Sequence, residues 1–106
     1  MKTQVIHIKD APANWQEDSL YVYIGRYRRV IKSSFAWGNP IHMINTSDKE
    51  RQRVIALYKL HLEKRLTSDP NFADKIRKEL RGHILICYCK PKSCHGDILS
   101  EIADRL

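Results

Sequence analysis

The run Ile84-Leu85-Ile86-Cys87-Tyr88-Cys89-Lys90-Pro91-Lys92-Ser93-Cys94-His95-Gly96-Asp97-Ile98-Leu99 changes its hydrophobic period partway through. Residues 84–88 are continuously apolar and aromatic and stop at Pro91, whereas Ile98, Leu99, Ile102 and Leu106 recur at helical spacing. A buried strand that hands over to an amphipathic helix gives this pattern. It restricts the chain to folds in which a strand end feeds a helix start. In open α/β sheets ligands gather at such carboxyl strand ends. All three cysteines, one histidine and one aspartate fall at this handover, which makes it the first candidate for a working site.

The remaining punctuation yields the order strand, strand, helix, helix, strand, helix. Val5, Ile6 and Ile8 mark a first strand, Asp10 to Ser19 a loop, and Leu20-Tyr21-Val22-Tyr23-Ile24 a second strand stopped by Gly25. Residues 26–45 carry no clear period. Ser47-Asp48-Lys49-Glu50 fits a capping box, in which Ser47 accepts from the backbone of Glu50 and Glu50 reaches back. Val54, Leu57, Tyr58, His61, Leu62 and Leu66 then form an apolar stripe over a helix from Asp48 to Leu66. Asp69-Pro70 starts a second helix, with Phe72, Ile76 and Leu80 four residues apart, and Gly82 ends it. A strand over residues 83–88 and a helix from Cys94 to Arg105 complete a single α/β domain over residues 1–106: a small mixed or parallel sheet flanked by helices.

Of 106 residues, 42% are hydrophobic and 29% charged, an ordinary globular balance for one modest core. No apolar run approaches the ~20 residues that span a bilayer, and the first eight residues are too polar for a signal peptide, so a cytoplasmic protein without a membrane partner is expected. Three cysteines within eight residues make no disulfide framework; in a reducing compartment they are thiols, metal ligands or core residues. The excess of 19 Lys and Arg over 12 Asp and Glu, +7 in all, favours anionic partners through long-range attraction. Solvated surface charge is the plainer alternative. Arg26, Arg28, Arg29 and Lys32 form a stretch without acidic residues, interleaved with Tyr23, Tyr27, Phe35 and Trp37, which also admits a nucleic-acid partner.

Three readings of the terminal turn are open. In the first, Ser93 caps the last helix, and the unpaired N–H groups around Cys94 and His95 bind an anion near Lys90 and Lys92 and lower the pKa of the Cys94 thiol. In the second, Cys87, Cys89, Cys94 and His95 hold zinc, against which the spacing C-x-C-x4-C-H departs from paired zinc knuckles; no metal is expected to be needed for folding. In the third, the cysteines pack as small hydrophobes and His95 bonds locally. Two further motifs can be read physically. Gly25 after a strand permits close backbone approach, and Arg26 offers a planar donor fork suited to phosphate, or else a strand-end ion pair. In Trp37-Gly38-Asn39-Pro40, the proline restrains Asn39 so that its amide can be fixed, and Trp37 stacks a base or closes the loop as a core aromatic.

Taken together, Tyr23-Ile24-Gly25-Arg26, Trp37-Gly38-Asn39-Pro40, Leu80-Arg81-Gly82 and Cys89-x-Pro91-x-x-Cys94-His95-Gly96-Asp97 resemble the domain of unknown function 4326 family over nearly the whole chain. The resemblance brings no established activity with it. Residue by residue, it singles out Gly25, Arg26, Trp37, Gly38, Asn39, Pro40, Cys89, Pro91, Cys94, His95, Gly96 and Asp97. Tyr88 stands where the family usually has Trp. The expectation is a small phosphorylated or nucleotide-like ligand bound by Gly25, Arg26, Trp37, Gly38, Asn39, Cys89, Lys92, Ser93 and Gly96, without a cofactor. In an enzymatic form with hydrolase or transferase chemistry, Cys94 is the nucleophile, His95 the acid or base and Asp97 its partner. The alternatives are a nucleotide-sequestering or sensing module without catalysis, and a nucleic-acid-binding protein using the stretch from Arg26 to Trp37.

Overall fold

The computed structural model describes residues 2–25, 29, 31, 37–39, 41, 43–88 and 94–106. Its centre is the strand that the sequence marks most strongly. This strand, β3 (Ile84–Cys87), lies between β1 (Gln4–His7) and β2 (Tyr21–Tyr23), and all pairings are parallel. The expected mixed or parallel sheet is therefore parallel and small, and the class is α/β. A central parallel strand is covered on both faces, which is why residues 84–87 read as a continuous apolar run.

The register aligns Val5, Leu85 and Val22 in one row and Ile6, Ile86 and Tyr23 in the next. Side chains alternate across a strand, so these rows face opposite ways. The first joins the core under the helices, with Ile24, Cys87, Tyr58, Leu62, Phe72, Ile76, Leu80, Leu99 and Ile102. The second meets Trp15 and Ile31 on the other face. Trp15 sits in a short 310 turn, Trp15–Glu17, within the 13-residue connection from β1 to β2. The segment expected as a loop is thus a cover: a buried indole takes the place of a crossover helix.

The helices are α1 (Asp48–Ser68), α2 (Phe72–Glu79) and α3 (His95–Arg105). Ser47 caps α1 as expected, its hydroxyl accepting from the Glu50 N–H at 3.2 Å. The return arm differs: the Glu50 carboxylate accepts from the Ile44 N–H, and the Ser47 N–H is taken by the Asn45 side chain. The stripe is narrower than the sequence suggests, because Val54, Tyr58 and Leu62 are buried while Leu57 and His61 face outward. Phe72, Ile76 and Leu80 are all buried, but regular helix begins at Phe72 rather than at Pro70. Asp69 instead makes a local turn, accepting from the Asn71 N–H at 3.0 Å. Gly82 leaves α2 at φ 76°, a left-handed conformation that glycine adopts without strain.

Buried Thr3 fastens the start of β1 to the turn after α2 and to the last turn of α3. Its hydroxyl donates to Asp104 at 2.7 Å and accepts from the Gly82 N–H at 2.9 Å, and its own N–H donates to Asp104 at 3.0 Å. The Thr3 hydroxyl, and then its N–H and the nearby charges of Lys2 and Arg81, hold the Asp104 carboxyl below its ordinary value, against a smaller opposing effect of burial. A depressed folded-state pKa adds stability above the unfolded value of about 3.9 that is lost as pH falls through the folded value. Asp104→Asn should therefore be less stable than the parent at neutral pH, with the gap closing in acid. Denaturation midpoints measured across that range check it.

Candidate functional site

In a parallel sheet the strand ends meet at one edge, and the start of α3 joins them there. Cys94 itself is the N-cap of α3, with extended backbone (φ −144°, ψ 169°). The expected cap, Ser93, lies outside the described residues. Asp97, three positions on, accepts from the Cys94 N–H at 3.2 Å, and its own N–H donates to the Cys94 carbonyl at 3.0 Å. The Gly96 N–H is directed at the Cys94 sulfur. Three donors expected to meet an anion are thus engaged within the turn, and a carboxylate already sits where the helix dipole favours negative charge.

His95 joins this turn to the second strand. Its Nε2 lies 2.6 Å from the Ile24 carbonyl across 71 residues, so Nε2 carries the proton and donates. Its ring stands edge-on to Tyr58, with centroids 5.1 Å apart, and the Tyr58 hydroxyl donates to the Trp37 carbonyl at 3.2 Å. Burial raises the Tyr58 pKa further above neutrality, so this hydroxyl stays a donor. The chain Ile24–His95–Tyr58–Trp37 brings together three motifs that are separate in the sequence. Tyr58, assigned to the core by its spacing, is the link that sequence alone leaves unmarked.

Gly96 explains why this junction is tight. A Cβ there would come within 2.6 Å of Ile24 Cδ1, 2.9 Å of Val5 Cγ1 and 3.2 Å of Cys94 Sγ. Gly25 answers a similar need: its Cβ would fall 2.3 Å from the Tyr23 hydroxyl, so the phenol folds back over it. Both glycines admit close approach by the protein's own side chains.

The expected low-pKa thiol is reversed. Cys94 Sγ lies 3.5 Å from Cys87 Sγ, and both thiols are buried. The contact with Cys87, then burial, then the Asp97 charge push the Cys94 thiol well up, and the Gly96 N–H opposes them only in part. Helix-end stabilisation is outweighed because the sulfur points inward. A protonated, enclosed thiol lacks the thiolate that nucleophilic catalysis needs.

Trp37 is 3% exposed, with its indole N–H donating to Glu79 at 3.2 Å and Lys75 5.3 Å from its ring centre. Gly38 is half-buried and Asn39 buried, and the Asn39 carbonyl oxygen accepts from the Ile41 N–H at 2.9 Å, so its amide is fixed as the loop chemistry predicts. A cavity of about 140 Å³ runs along the outer side of β2, an edge strand, between Trp15 and Trp37, with Gln16, Tyr21, Tyr23 and Glu79 around it. At the strand ends, Tyr88 stands edge-on to both His7 and Tyr23. Neither Glu79 nor His7 carries a sequence signal, since each gains its place only through packing.

Arg26, Cys89, Lys92 and Ser93, with Pro40, Lys90 and Pro91, lie outside the described residues. Among the described residues no three His, Cys, Asp or Glu side chains converge on a point that could hold a metal. Of the four-ligand zinc set, Cys87 and Cys94 are together, while His95 turns its Nε2 to Ile24. Among the described residues no helix is long and apolar enough to cross a membrane.

The sequence model of the family described as "Domain of unknown function (DUF4326)" matches residues 6–105. The chain belongs to this family. It is also similar to the "Uncharacterized 12.4 kDa protein in nrdA-td intergenic region" of Enterobacteria phage T4, 35% identical over 97 residues, covering 81% of this chain and 86% of that protein. No solved structure matches. The DUF4326 match spans the Gly25 turn, the Trp37 loop and the α3 start, the three segments tied through His95 and Tyr58.

Proposed function

We propose that the cavity along edge strand β2, beside the Trp37 loop, binds a small phosphorylated or nucleotide-like ligand, and that it does so as a sequestering or sensing module. One observation carries the reading. Trp37 lines the aromatic cavity and is tied through its carbonyl and Tyr58 to His95, so a flat ring received there is coupled to the motif junction. At about 140 Å³ the cavity is small for a ligand site, so the charged part of the ligand lies outside it. The +7 charge, and Arg26 and Lys92 as the sequence assigns them, supply attraction for that part. Binding is favoured over turnover because the Cys94 thiol is enclosed and protonated. A catalytic form would have to place acid–base work on His95 and Asp97 instead.

Thermal shift with nucleotides, sugar phosphates and their cyclic derivatives tests this. A specific ligand raises the melting temperature in proportion to the logarithm of its concentration over Kd, with little dependence on salt. Stabilisation that collapses steeply with salt indicates the nucleic-acid reading. New masses after incubation indicate turnover. In calorimetric titration of the best ligand, Arg26→Ala should lose about 1.5 to 3 kcal/mol, the contribution of a charge-assisted hydrogen bond. Arg26→Lys should lose less, since it keeps the charge without the fork. Unchanged affinity in both variants would remove Arg26 from the site.

A further inference from the structure

We propose that Cys87 and Cys94 are a dithiol that a hydroperoxide converts reversibly to an intramolecular disulfide. The inference does not depend on the ligand reading. Cys87 ends β3 and Cys94 is the N-cap of α3, seven positions further along the sequence. Their sulfurs already lie 3.5 Å apart on the helix-covered side of the sheet, so a bond needs an approach of only about 1.5 Å. Packing alone requires no such pairing, since either position could carry a small aliphatic side chain.

The chemistry balances with one peroxide. When the start of α3 opens locally, one thiol gives up its proton and, as thiolate, takes the peroxide's terminal oxygen as the O–O bond breaks, giving a sulfenic acid; the departing alkoxide or hydroxide takes that proton and leaves as the alcohol, or as water from hydrogen peroxide. The second thiol attacks that sulfur; the S–S bond forms, and the sulfenic oxygen leaves as water. Two electrons and two protons pass from the thiols to the oxidant. A thiol reductant reverses the step by exchange. In the reduced form Cys94 Sγ faces the Gly96 N–H at the start of α3. The bridge fastens that start to the strand end and closes a ring around the segment that carries Cys89, Lys92 and Ser93.

The test is hydrogen peroxide treatment of the purified full chain, with intact mass, melting temperature and peptide mapping after alkylation of the remaining thiols. The parent and Cys89→Ser should each lose two hydrogens and join the Cys87 peptide to the Cys94 peptide. Closing a short loop should raise the melting temperature by several degrees, and dithiothreitol should undo both changes. Cys94→Ala should lose no hydrogens. Since that variant could simply fail to fold, Cys89→Ser decides the matter: loss of the bridge there would assign it to Cys89 and overturn the proposal. So would addition of oxygen without hydrogen loss, recovery of both thiols unreacted, or one thiophilic metal ion per purified chain that blocks their alkylation.

Discussion

His95→Ala is expected to cost about 2 to 4 kcal/mol of folding stability, a large share of the roughly 5 to 15 kcal/mol that holds a small domain together. Two losses add. Removing the imidazole strips the Ile24 carbonyl of a donor 2.6 Å away in a buried setting, and an orphaned buried polar group costs about 1 to 3 kcal/mol. It also empties the space beside the Tyr58 ring, and a void left by a large side chain adds to the cost when its walls cannot collapse. These walls belong to α1, α3 and the end of β2, which are fixed independently. His95→Gln, able to donate from a similar position, should recover part of the loss. Urea denaturation of the three proteins measures it. A cost below about 1 kcal/mol would mean that the Ile24 contact is weak, leaving the imidazole available for chemistry.

That expectation departs from the first reading of His95, and the reason lies in what a local pattern can report. The Ser47 cap, the four-residue spacing of Phe72, Ile76 and Leu80, and the stop at Gly82 are settled within one or two turns of chain, so the sequence carries them and the structure repeats them. The switch of period across the cysteines likewise fixed β3 and α3 correctly. Partners far along the chain are another matter. Nothing beside His95 announces an acceptor 71 residues away, and nothing near Trp37 announces Glu79, 42 residues on. The Cys94 thiol shows how a sound local argument can lose. A helix end does favour the thiolate, but the extended cap turns the sulfur inward to Cys87, and the contact together with burial outweighs the dipole. Even the start of α2 was displaced by a local rival, because the Asp69 carboxylate makes a turn with Asn71 instead of capping.

Gly96→Val is expected to be as disruptive as the loss of His95, about 3 kcal/mol, by the opposite route of overfilling. The first carbon alone would press on Ile24 at 2.6 Å, Val5 at 2.9 Å and Cys94 at 3.2 Å, all closer than carbon and sulfur atoms rest. Ile24 Cδ1 is the end of a flexible side chain and can swing aside. Val5 Cγ1 cannot: it is one bond from the Cβ of a β-branched residue held in β1 by pairing with β3. Relief must then come from lifting the start of α3, which lengthens the His95–Ile24 bond and separates Cys94 from Cys87. Gly96→Ala makes the same first contact but gains up to about 1 kcal/mol of helix propensity, so a net loss of about 1 to 2 kcal/mol is expected. Denaturation midpoints rank the three proteins, and alkylation of the folded chains reports the lift, since Cys94 should label faster in Gly96→Val than in the parent. A Gly96→Ala chain more stable than the parent would show that Val5 and Ile24 yield easily, and that glycine at this position serves something other than the approach of α3 to the sheet.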